Sequence, residues 1–286
     1  MQRKLICFVV GLLLNVNSVL AAQTQKSIQI KGSDTMVNLE QAWAEAYMQK
    51  HPDSFIAVTG GGSGTGIAAL LSRTCDIAAS SRKIKQKELD LAVKNGMTPK
   101  EFIVALDGLA VVVNPKNPVS KLTIDEIADV FTAKIKNWKE VGGEDLPIVI
   151  LSREVNSGTH VYFKEHVLRK RDENRKDEFI DSALLMPSSQ AIADEIAQNK
   201  NAIGYYGMGY INSTQKALAI AKNKNSPYVE PTAVNVINLS YCISRPLLLY
   251  ATDEPKGLVK DFIDFVLSKA GQEIVRQIDF VPIKAQ

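Results

Sequence analysis

The sequence predicts an α/β fold divided into two domains. From residue 27 onward, an apolar strand pattern is repeatedly followed by a short polar loop and then by a helix pattern. Strands and helices that alternate in this order form parallel sheets with helices on their faces. Two strand-rich regions interrupted by proline, one near the middle and one near the end of the chain, indicate two domains joined by two crossings.

Strand, loop and helix patterns follow one another in four units. In chain order they are SIQI, GSDTM and VNLEQAWAEAYMQKH; FIAV, TGGGSGTG and IAALLS; DIAAS and SRKIKQKELDLAVKNG; and PIVILS, REVNSGTH and VYFKEHVLRK. In each unit the polar loop follows the carboxyl end of a strand, which is where ligands bind in open parallel sheets. We therefore expect the functional residues in these loops.

Prolines near the middle of the chain predict the domain boundary. The apolar strand Leu109–Val113 is stopped by Pro115 and Pro118, which exclude continued sheet pairing or helix. A second strand-rich region, VNVINLSYCISRPLLLYA, is interrupted by Pro246. If the chain leaves one domain at the first region and returns at the second, domain I comprises 23–112 plus 238–286, and domain II comprises 113–237.

The first 22 residues have the layout of a cleavable secretory signal. Arg3 and Lys4 precede the apolar run Leu5–Leu14, and two alanines end the segment. The run is shorter than the ~20 residues that a membrane span needs. Cys7 lies early inside the run and not behind a small residue at its end, so we expect a secreted protein without a lipid anchor.

The charge balance argues against two classes of protein. Without its first 22 residues the chain keeps 32 basic and 31 acidic residues, a net charge of +1. Dedicated nucleic-acid and membrane-surface binders usually carry a basic excess, so we expect neither partner. Cys75 and Cys242 remain, and both a disulfide and two separate thiols are compatible with their spacing.

The glycine-rich loop in Thr59–Leu71 fails each common enzymatic motif at one required position. A phosphate-cradling P-loop needs lysine where Ile67 stands, and the dinucleotide fingerprint needs glycine there. A nucleophile elbow needs glycine in place of Thr65. The loop therefore predicts none of these three enzyme classes.

The histidines give little support for catalysis. The chain offers only His51, His160 and His166 as bases, and we interpret the last two as residues of a helix surface. Histidines without cysteine or carboxylate clusters also predict no metal site. We expect no enzyme, no cofactor and no metal, with a secreted phosphoester hydrolase using a serine loop as the alternative.

Hydroxyl side chains recur where the four helices are predicted to begin. They are Ser33 and Thr35, Ser63 and Thr65, Ser80 and Ser81, and Ser157 and Thr159. The first N–H groups of a helix have no internal partner and donate to an anion placed there, and hydroxyls add further donors. One such loop is most often an ordinary helix cap, but four at strand ends predict an anion-binding site.

Two charged residues belong to these loops. Arg153 lies four residues before Ser157, and its planar guanidinium suits two oxygens of a tetrahedral oxyanion. A surface or interdomain salt bridge is the alternative for Arg153. Asp34, inside the first loop, is interpreted as a cap for the N–H groups of its own helix.

A family resemblance extends over nearly the whole chain after residue 22. The segments that carry it are GSDTM, GGGSGTG, AASSR, LAVVVNP, FTAKIKNWKEVGG, SREVNSGT, AIGYYGMGY, SYCISRPL and GQEIVRQIDFVPI. Together they resemble the periplasmic phosphate-binding proteins of bacterial phosphate ABC transporters. The resemblance implies the two-lobed periplasmic-binding-protein fold, in which two α/β domains joined by a two-strand hinge close on one phosphate.

The resemblance also implies a function and a ligand set. It implies a monomeric periplasmic receptor that binds inorganic phosphate and delivers it to the permease subunits of an ABC transporter. Carried over by motif, the phosphate ligands are Thr35, Met36, Ser63, Ser81, Arg153, Ser157, Gly158 and Thr159. Another tetrahedral oxyanion, sulfate or arsenate, is the alternative ligand.

The sequence departs from the family pattern at Ser81. Many relatives have an aspartate there, which accepts a hydrogen bond from the proton on phosphate. We expect Asp107 to take this role, because it directly precedes the first strand predicted to join the domains. A turn-forming Asp-Gly pair is the alternative for Asp107.

Overall fold

The computed structural model describes residues 26–283. The predicted secretion signal, residues 1–22, lies outside the described residues. The strands are β1 (Lys26–Gly32), β2 (Ser54–Thr59), β3 (Ile77–Ser80), β4 (Lys100–Val113), β5 (Lys121–Thr123), β6 (Val149–Arg153), β7 (Leu184–Met186), β8 (Ala202–Gly207), β9 (Lys216–Ala217), β10 (Ala219–Ala221) and β11 (Ser244–Ala251).

Helices cover the faces of the sheet that most of these strands form. They are α1 (Val37–Lys50), α2 (Ser63–Leu71), α3 (Gln86–Lys94), α4 (Ile124–Phe131), α5 (Gly158–Phe163), α6 (Ser189–Gln198), α7 (Ala233–Ile237), α8 (Gly257–Leu267) and α9 (Lys269–Gln277). The α5 helix continues as a π-helix over Lys164–Leu168, and short 3-10 helices cover Trp138–Val141 and Met208–Tyr210.

The main sheet is mixed, with parallel strands on both sides of a central antiparallel pair. Its strand order is β2-β1-β3-β11-β4-β8-β6-β7, with β9 beside β4. The β1 strand runs parallel to β2 and β3, and β6 runs parallel to β7 and β8. In contrast, β4 runs antiparallel to both β11 and β8. The predicted parallel pairing is present in both halves, and the sequence patterns did not show that the central strands, where the chain crosses and returns, are antiparallel.

The long strand β4 belongs to both halves of the molecule. Its residues up to Gly108 pair with β11, and those from Leu109 onward pair with β8. We call the part built on β1, β2, β3 and β11 lobe I, and the part built on β6, β7 and β8 lobe II. The strand predicted at Leu109–Val113 is the lobe II end of β4, and its five residues are fully buried.

The first helix shows how apolar spacing anchors an element. In α1 the buried side chains Leu39, Trp43 and Tyr47 recur at every fourth position and face the lobe I core. The indole N–H of Trp43 donates to the Gly271 carbonyl in α9 at 2.8 Å, which satisfies a buried donor. The anchored α1 holds the preceding loop, with Ser33 and Thr35, at the end of β1.

The second strand-rich prediction needs two corrections. The beginning of VNVINLSYCISRPLLLYA belongs to the helix α7 and not to a strand. The Thr232 hydroxyl caps this helix by accepting a hydrogen bond from the N–H of Asn235. The β11 strand also runs through Pro246, which lies opposite Leu106 of β4. The pairing register shifts between Leu247 and Leu248, a local irregularity of the kind that accommodates proline in a sheet.

Two further expectations concern the membrane and the thiols. No helix within residues 26–283 is long and apolar enough to cross a bilayer. Cys75 is buried, Cys242 is half-buried, and both are free thiols. Of the two arrangements that the sequence allowed, the structure therefore has the separate thiols.

Candidate functional site

The hydroxyl loops of the two lobes meet at one buried point. Thr35 Oγ1 of lobe I lies 2.8 Å from Thr159 Oγ1 of lobe II. Within lobe I, Ser81 Oγ lies 3.0 Å from Ser33 Oγ and 3.3 Å from Ser63 Oγ. All five side chains are at most 2% exposed. We call these five residues the hydroxyl cluster.

The starts of two helices point at the hydroxyl cluster from opposite lobes. The α2 helix begins at Ser63 and α5 begins at Gly158. A Cβ atom on Gly158 would lie 2.3 Å from Ser63 Oγ and 2.7 Å from Ser81 Oγ, so a side chain at this position would displace both hydroxyls. Glycine thus allows the α5 backbone to approach lobe I closely, with its first N–H groups next to the hydroxyls.

Two of the predicted ligands have protein partners at the edge of this cluster. The Ser157 hydroxyl accepts a hydrogen bond from the N–H of His160 at 3.4 Å and so caps α5. The Met36 N–H donates to the Ser33 carbonyl at 2.9 Å. Both residues therefore lie at the site. Ser157 is also an ordinary helix cap, which was the alternative for each hydroxyl loop in the sequence analysis.

Arg153 forms a buried ion pair between the lobes. Its Nη2 donates to Asp34 Oδ2 at 2.6 Å and to the Pro187 carbonyl at 3.0 Å. Its Nε and Nη1 donate to the Met186 carbonyl and the Ser189 hydroxyl. Four of its five N–H groups thus have protein acceptors. The interdomain salt bridge considered from the sequence is present.

The cap predicted for Asp34 was wrong. The N-cap of α1 is Met36, and no side chain caps this helix. One carboxylate oxygen of Asp34 accepts from the N–H of Gly61 at 2.8 Å, and the other accepts from Arg153. The neighbouring glycine loop and the other lobe offer stronger donors than the helix, since one of them is a cation.

Asp107 is fully buried beside the hydroxyl cluster. Its Oδ1 accepts from the N–H of Met208 at 3.0 Å, and its Oδ2 accepts from Arg245 Nε at the same distance. A Cβ atom on Gly207 would lie within 2.9 Å of both Asp107 oxygens and of the Thr35 methyl group, so that glycine permits the approach. Burial raises the pKa of Asp107, and the charge of Arg245 opposes this.

Arg245 is the site residue that sequence reasoning missed. Its guanidinium donates to the Thr159 hydroxyl of lobe II at 3.0 Å and to the Ser81 carbonyl of lobe I at 3.1 Å. It also lies 5.5 Å from the ring centre of Tyr162. One signal was available in the sequence: Arg245 lies directly before the apolar run PLLLYA. Because a buried strand tolerates a charged side chain only when that charge has a partner, this position indicates a buried ion pair.

Asn156 and Tyr210 hold the lobes together beside the cluster, and both were also missed. The Asn156 side chain of lobe II donates to the Gly61 carbonyl at 2.9 Å and to Thr65 Oγ1 at 3.1 Å. The N–H of Gly64 returns a bond to the Asn156 carbonyl at 3.0 Å. The Tyr210 hydroxyl donates to the Asp34 carbonyl at 2.6 Å. These contacts bring the helix starts of both lobes to one point.

The histidine of α5 is buried and was wrongly interpreted as a surface residue. His160 is 5% exposed and its ring is tilted 30° to that of Phe179, with centroids 4.6 Å apart. Its Nδ1 lies 3.3 Å from Ser152 Oγ. Burial and the charge of Lys164 lower the pKa of His160 to about 4. Phe179, which lies 19 positions later in the sequence, packs against this side chain, and the local helix pattern does not show that contact.

Metal ligands are not clustered in the part of the chain that the structure describes. Within residues 26–283, no group of three or more His, Cys, Asp or Glu side chains is arranged to hold a metal ion. The hydroxyl cluster offers neutral donors together with the guanidinium of Arg245. Such a set of groups binds an anion by donating hydrogen bonds to it.

Comparison with known sequences gives relatives that share one name. A family model described as PBP superfamily domain matches residues 17–270. The chain is 34% identical over 272 residues to the phosphate-binding protein PstS of Pseudomonas aeruginosa, covering 89% of this chain and 82% of that protein. It is also 34% identical over 261 residues to the protein of the same name from Bacillus subtilis, with coverages of 90% and 81%.

Solved structures match over almost the same length. A protein of Clostridium perfringens, solved with bound phosphate, is 36% identical, with a TM-score of 0.81 and coverage of 91% of this chain and all of that one. An ABC-type phosphate transport receptor from Vibrio cholerae is 30% identical, with a TM-score of 0.71 and coverages of 90% and 100%. These matches confirm the predicted two-lobed α/β fold.

Proposed function

Because the chain belongs to the PBP superfamily and, within it, to the phosphate-binding proteins PstS, we propose that it binds inorganic phosphate between its lobes and delivers it to an ABC permease. The relatives named above carry phosphate binding in their names, and one was solved with phosphate bound. The same comparisons support a substrate-binding receptor. Since the protein delivers phosphate to the membrane, its proposed protein partners are the permease subunits of an ABC transporter.

The observation that carries this proposal is the hydroxyl cluster. Thr35 and Thr159 face each other across the lobes at 2.8 Å, and Ser63 and Ser81 lie beside the first N–H groups of α2 and α5. Hydroxyls, main-chain N–H groups at helix starts and a guanidinium are donors of the kind that bind a buried tetrahedral oxyanion. Both lobes contribute, so binding of the anion favours closure.

We assign the phosphate ligands by their position around this cluster. The hydroxyls of Thr35, Ser63, Ser81 and Thr159 donate to the phosphate oxygens. The main-chain N–H of Gly158 adds a donor at the start of α5, and the N–H of Met36, which donates to the Ser33 carbonyl in this structure, is shared with the phosphate. The charged and capping members of the set are Arg153, Ser157 and, beyond the sequence prediction, Arg245.

We also propose that Asp107 accepts the proton of bound phosphate. Near neutral pH, phosphate keeps at least one proton and sulfate keeps none. A buried carboxylate accepts a hydrogen bond from phosphate and repels an anion that has no proton to donate. The support is that Asp107 lies beside Thr35 across Gly207, and that each of its oxygens has a lone pair beyond its present bond.

The two lobes act as the domains that open and close. We place domain I at 23–112 plus 238–286 and domain II at 113–237. The change of partner along β4, from β11 to β8 after Gly108, supports a crossing at this strand. The second crossing precedes β11, between α7 and Ser244.

In the cell, we place the protein in the periplasm. We propose secretion through residues 1–22, no lipid anchor and a monomeric state. We also propose that the chain is not an enzyme. The support is that the relatives named above are phosphate-binding proteins and a transport receptor. In addition, the ring of His160 lies 3.3 Å from Ser152 and not beside a serine of the hydroxyl cluster.

Calorimetric titration tests the function. Protein refolded after removal of ligand is titrated separately with phosphate, sulfate and arsenate. We expect one phosphate per chain and much weaker sulfate binding. Tight binding of sulfate with weak phosphate binding would favour the alternative oxyanion receptor. Turnover of a generic phosphomonoester would favour the hydrolase.

A further inference from the structure

A second concave surface lies beside the hydroxyl cluster. The loop after β3, the α5 helix with its π-helical continuation and the start of β11 line a cleft of about 490 Å³. We call it the basic cleft. Its charged lining residues are Arg82, Lys83, Lys85, Glu165, Arg171 and Arg245, and His166 also lines it.

Cations in the basic cleft exceed the carboxylates that neutralise them. Glu88 holds Arg82 through two bonds of 2.7 and 2.9 Å, and Asp107 holds Arg245. Among residues 26–283, no carboxylate lies within 4.0 Å of the side-chain nitrogens of Lys83, Lys85 or Arg171. Glu165 is the one carboxylate in the lining, so the cleft keeps an excess of positive charge.

One buried donor of the lining has no partner. Arg82 is 7% exposed, and its Nε lacks any hydrogen-bond acceptor among the described residues. Nearly all buried N–H groups in proteins are paired, since an unpaired donor loses its water without compensation. An anionic ligand in the basic cleft supplies an acceptor for such a guanidinium.

The protonation equilibria show the same positive potential. Burial lowers the pKa of Lys85, and the charge of Arg82 lowers it further. Burial also lowers the pKa of His166 to about 4, and Arg171 and Arg245 contribute to that shift. His166 is therefore neutral near pH 7.

The cleft is larger than a single phosphate ion needs. At ~30 Å³ for each water, its volume holds about sixteen waters, more than one phosphate ion fills. A second cleft of about 440 Å³ shares His166, Arg171 and Ser244 with it and adds Lys170 and Lys222. Asp125 also lines this second cleft and pairs with Lys170, so Lys222 and the shared Arg171 are its remaining cations.

We propose that the basic cleft binds a small linear oligophosphate at a second site next to the hydroxyl cluster, with Arg245 contributing to both. The recognised chemistry is a chain of linked phosphates, either free or as the triphosphate of a nucleotide. Lys83 and Lys85 come from lobe I, and Arg171 comes from lobe II. A bound oligophosphate offsets the repulsion between these cations and so favours contact between the lobes.

Titration of the phosphate-saturated chain tests this site. The chain is titrated with tripolyphosphate and, separately, with ATP in magnesium-free buffer. We expect one equivalent of either ligand to bind, with an affinity that falls when salt is raised. The double variant Lys83→Ala/Lys85→Ala should weaken binding about tenfold or more. The control variant Lys94→Ala/Lys269→Ala removes the same charge from exposed positions outside the cleft and should leave the affinity unchanged.

Three outcomes overturn the proposal. They are no saturable binding of tripolyphosphate, equal weakening in both double variants, and binding of ATP without tripolyphosphate. The proposed function is tested by phosphate titration of the ligand-free chain, so its failure is seen separately. In that event the tripolyphosphate titration is carried out in phosphate-free buffer, and the lysine variants still report on the basic cleft.

Discussion

Asp107 and Arg245 lie directly opposite each other on β4 and β11 and form an ion pair of 2.9 Å in which both side chains are at most 1% exposed. Because Arg245 also donates to Thr159 and to the Ser81 carbonyl, the pair connects the two central strands to the hydroxyl cluster. Stability and ligand binding are therefore expected to depend on the same two residues.

Removing one member of this pair should lower the free energy of unfolding. Arg245→Met leaves the Asp107 carboxylate buried without its cation, which costs about 3 to 5 kcal/mol in comparable buried pairs. Urea denaturation of the ligand-free protein measures this loss. The matched control is Arg175→Met, which removes the surface pair with Asp177 and should cost about 0 to 1 kcal/mol. Equal stability of Arg245→Met and the wild type would contradict the assignment.

Replacing Asp107 by asparagine should change selectivity. Asp107→Asn removes the carboxylate that accepts the phosphate proton and repels sulfate, so the ratio of phosphate to sulfate affinity should fall by about tenfold or more. Titration calorimetry on folded variant protein measures the ratio. Asp34→Asn is the control: it breaks the ion pair to Arg153 and should weaken both anions alike. A wild-type ratio in Asp107→Asn places the acceptor elsewhere.

Loss of Arg153 should weaken phosphate binding strongly. Arg153→Ala removes a buried cation and leaves Asp34 unpaired between the lobes, so we expect a loss of about 2 to 5 kcal/mol in binding free energy. Arg153→Lys should recover only part, because lysine lacks the planar fork. The control Arg276→Ala removes an exposed pair with Glu273. An unchanged phosphate affinity in Arg153→Ala would exclude this arginine from the site.

The buried His160 and the half-buried His166 predict a stability that falls in mild acid. The pKa of His160 drops from about 6.5 in the unfolded chain to about 4 in the fold, and that of His166 does the same. The unfolded state therefore binds more protons in this window, and the free energy of unfolding decreases as the pH falls from 6.5 to 4. His160→Gln should reduce that slope by about half. The control is His51→Gln, which changes an exposed histidine and should leave the slope as in the wild type. An unchanged slope in His160→Gln would be inconsistent with the burial of His160.

Local sequence patterns were sufficient for the elements that carry the hydroxyls. The loops with Ser33, Ser63 and Ser157 each follow a strand pattern and precede a helix pattern within a few residues. Strand alternation and helix starts depend on neighbours in the chain, so they are visible in the sequence. Parallel pairing of β1 and β2 then brings the loops with Ser33 and Ser63 together, as the fold class predicts, whereas Ser157 of lobe II joins them through the contact between the lobes.

Contacts between distant residues were not visible in this way. Arg245 and Asp107 are 138 positions apart, and Asn156 is 95 positions from Gly61. Their meeting depends on the register of β11 against β4 and on the relative position of the lobes. Pro246 and His160 were misjudged for the same reason, since strand partners and covering aromatic residues come from elsewhere in the chain.

Bound phosphate is expected to lie in the hydroxyl cluster between the lobes. The most direct test is a crystal structure of the protein with phosphate, together with a second crystal containing arsenate, whose anomalous signal marks the anion. We expect one central atom surrounded by the side chains of Thr35, Ser63, Ser81 and Thr159, with donor to oxygen distances of about 2.7 to 3.2 Å. A strong anion peak elsewhere, with none at these hydroxyls, would contradict it.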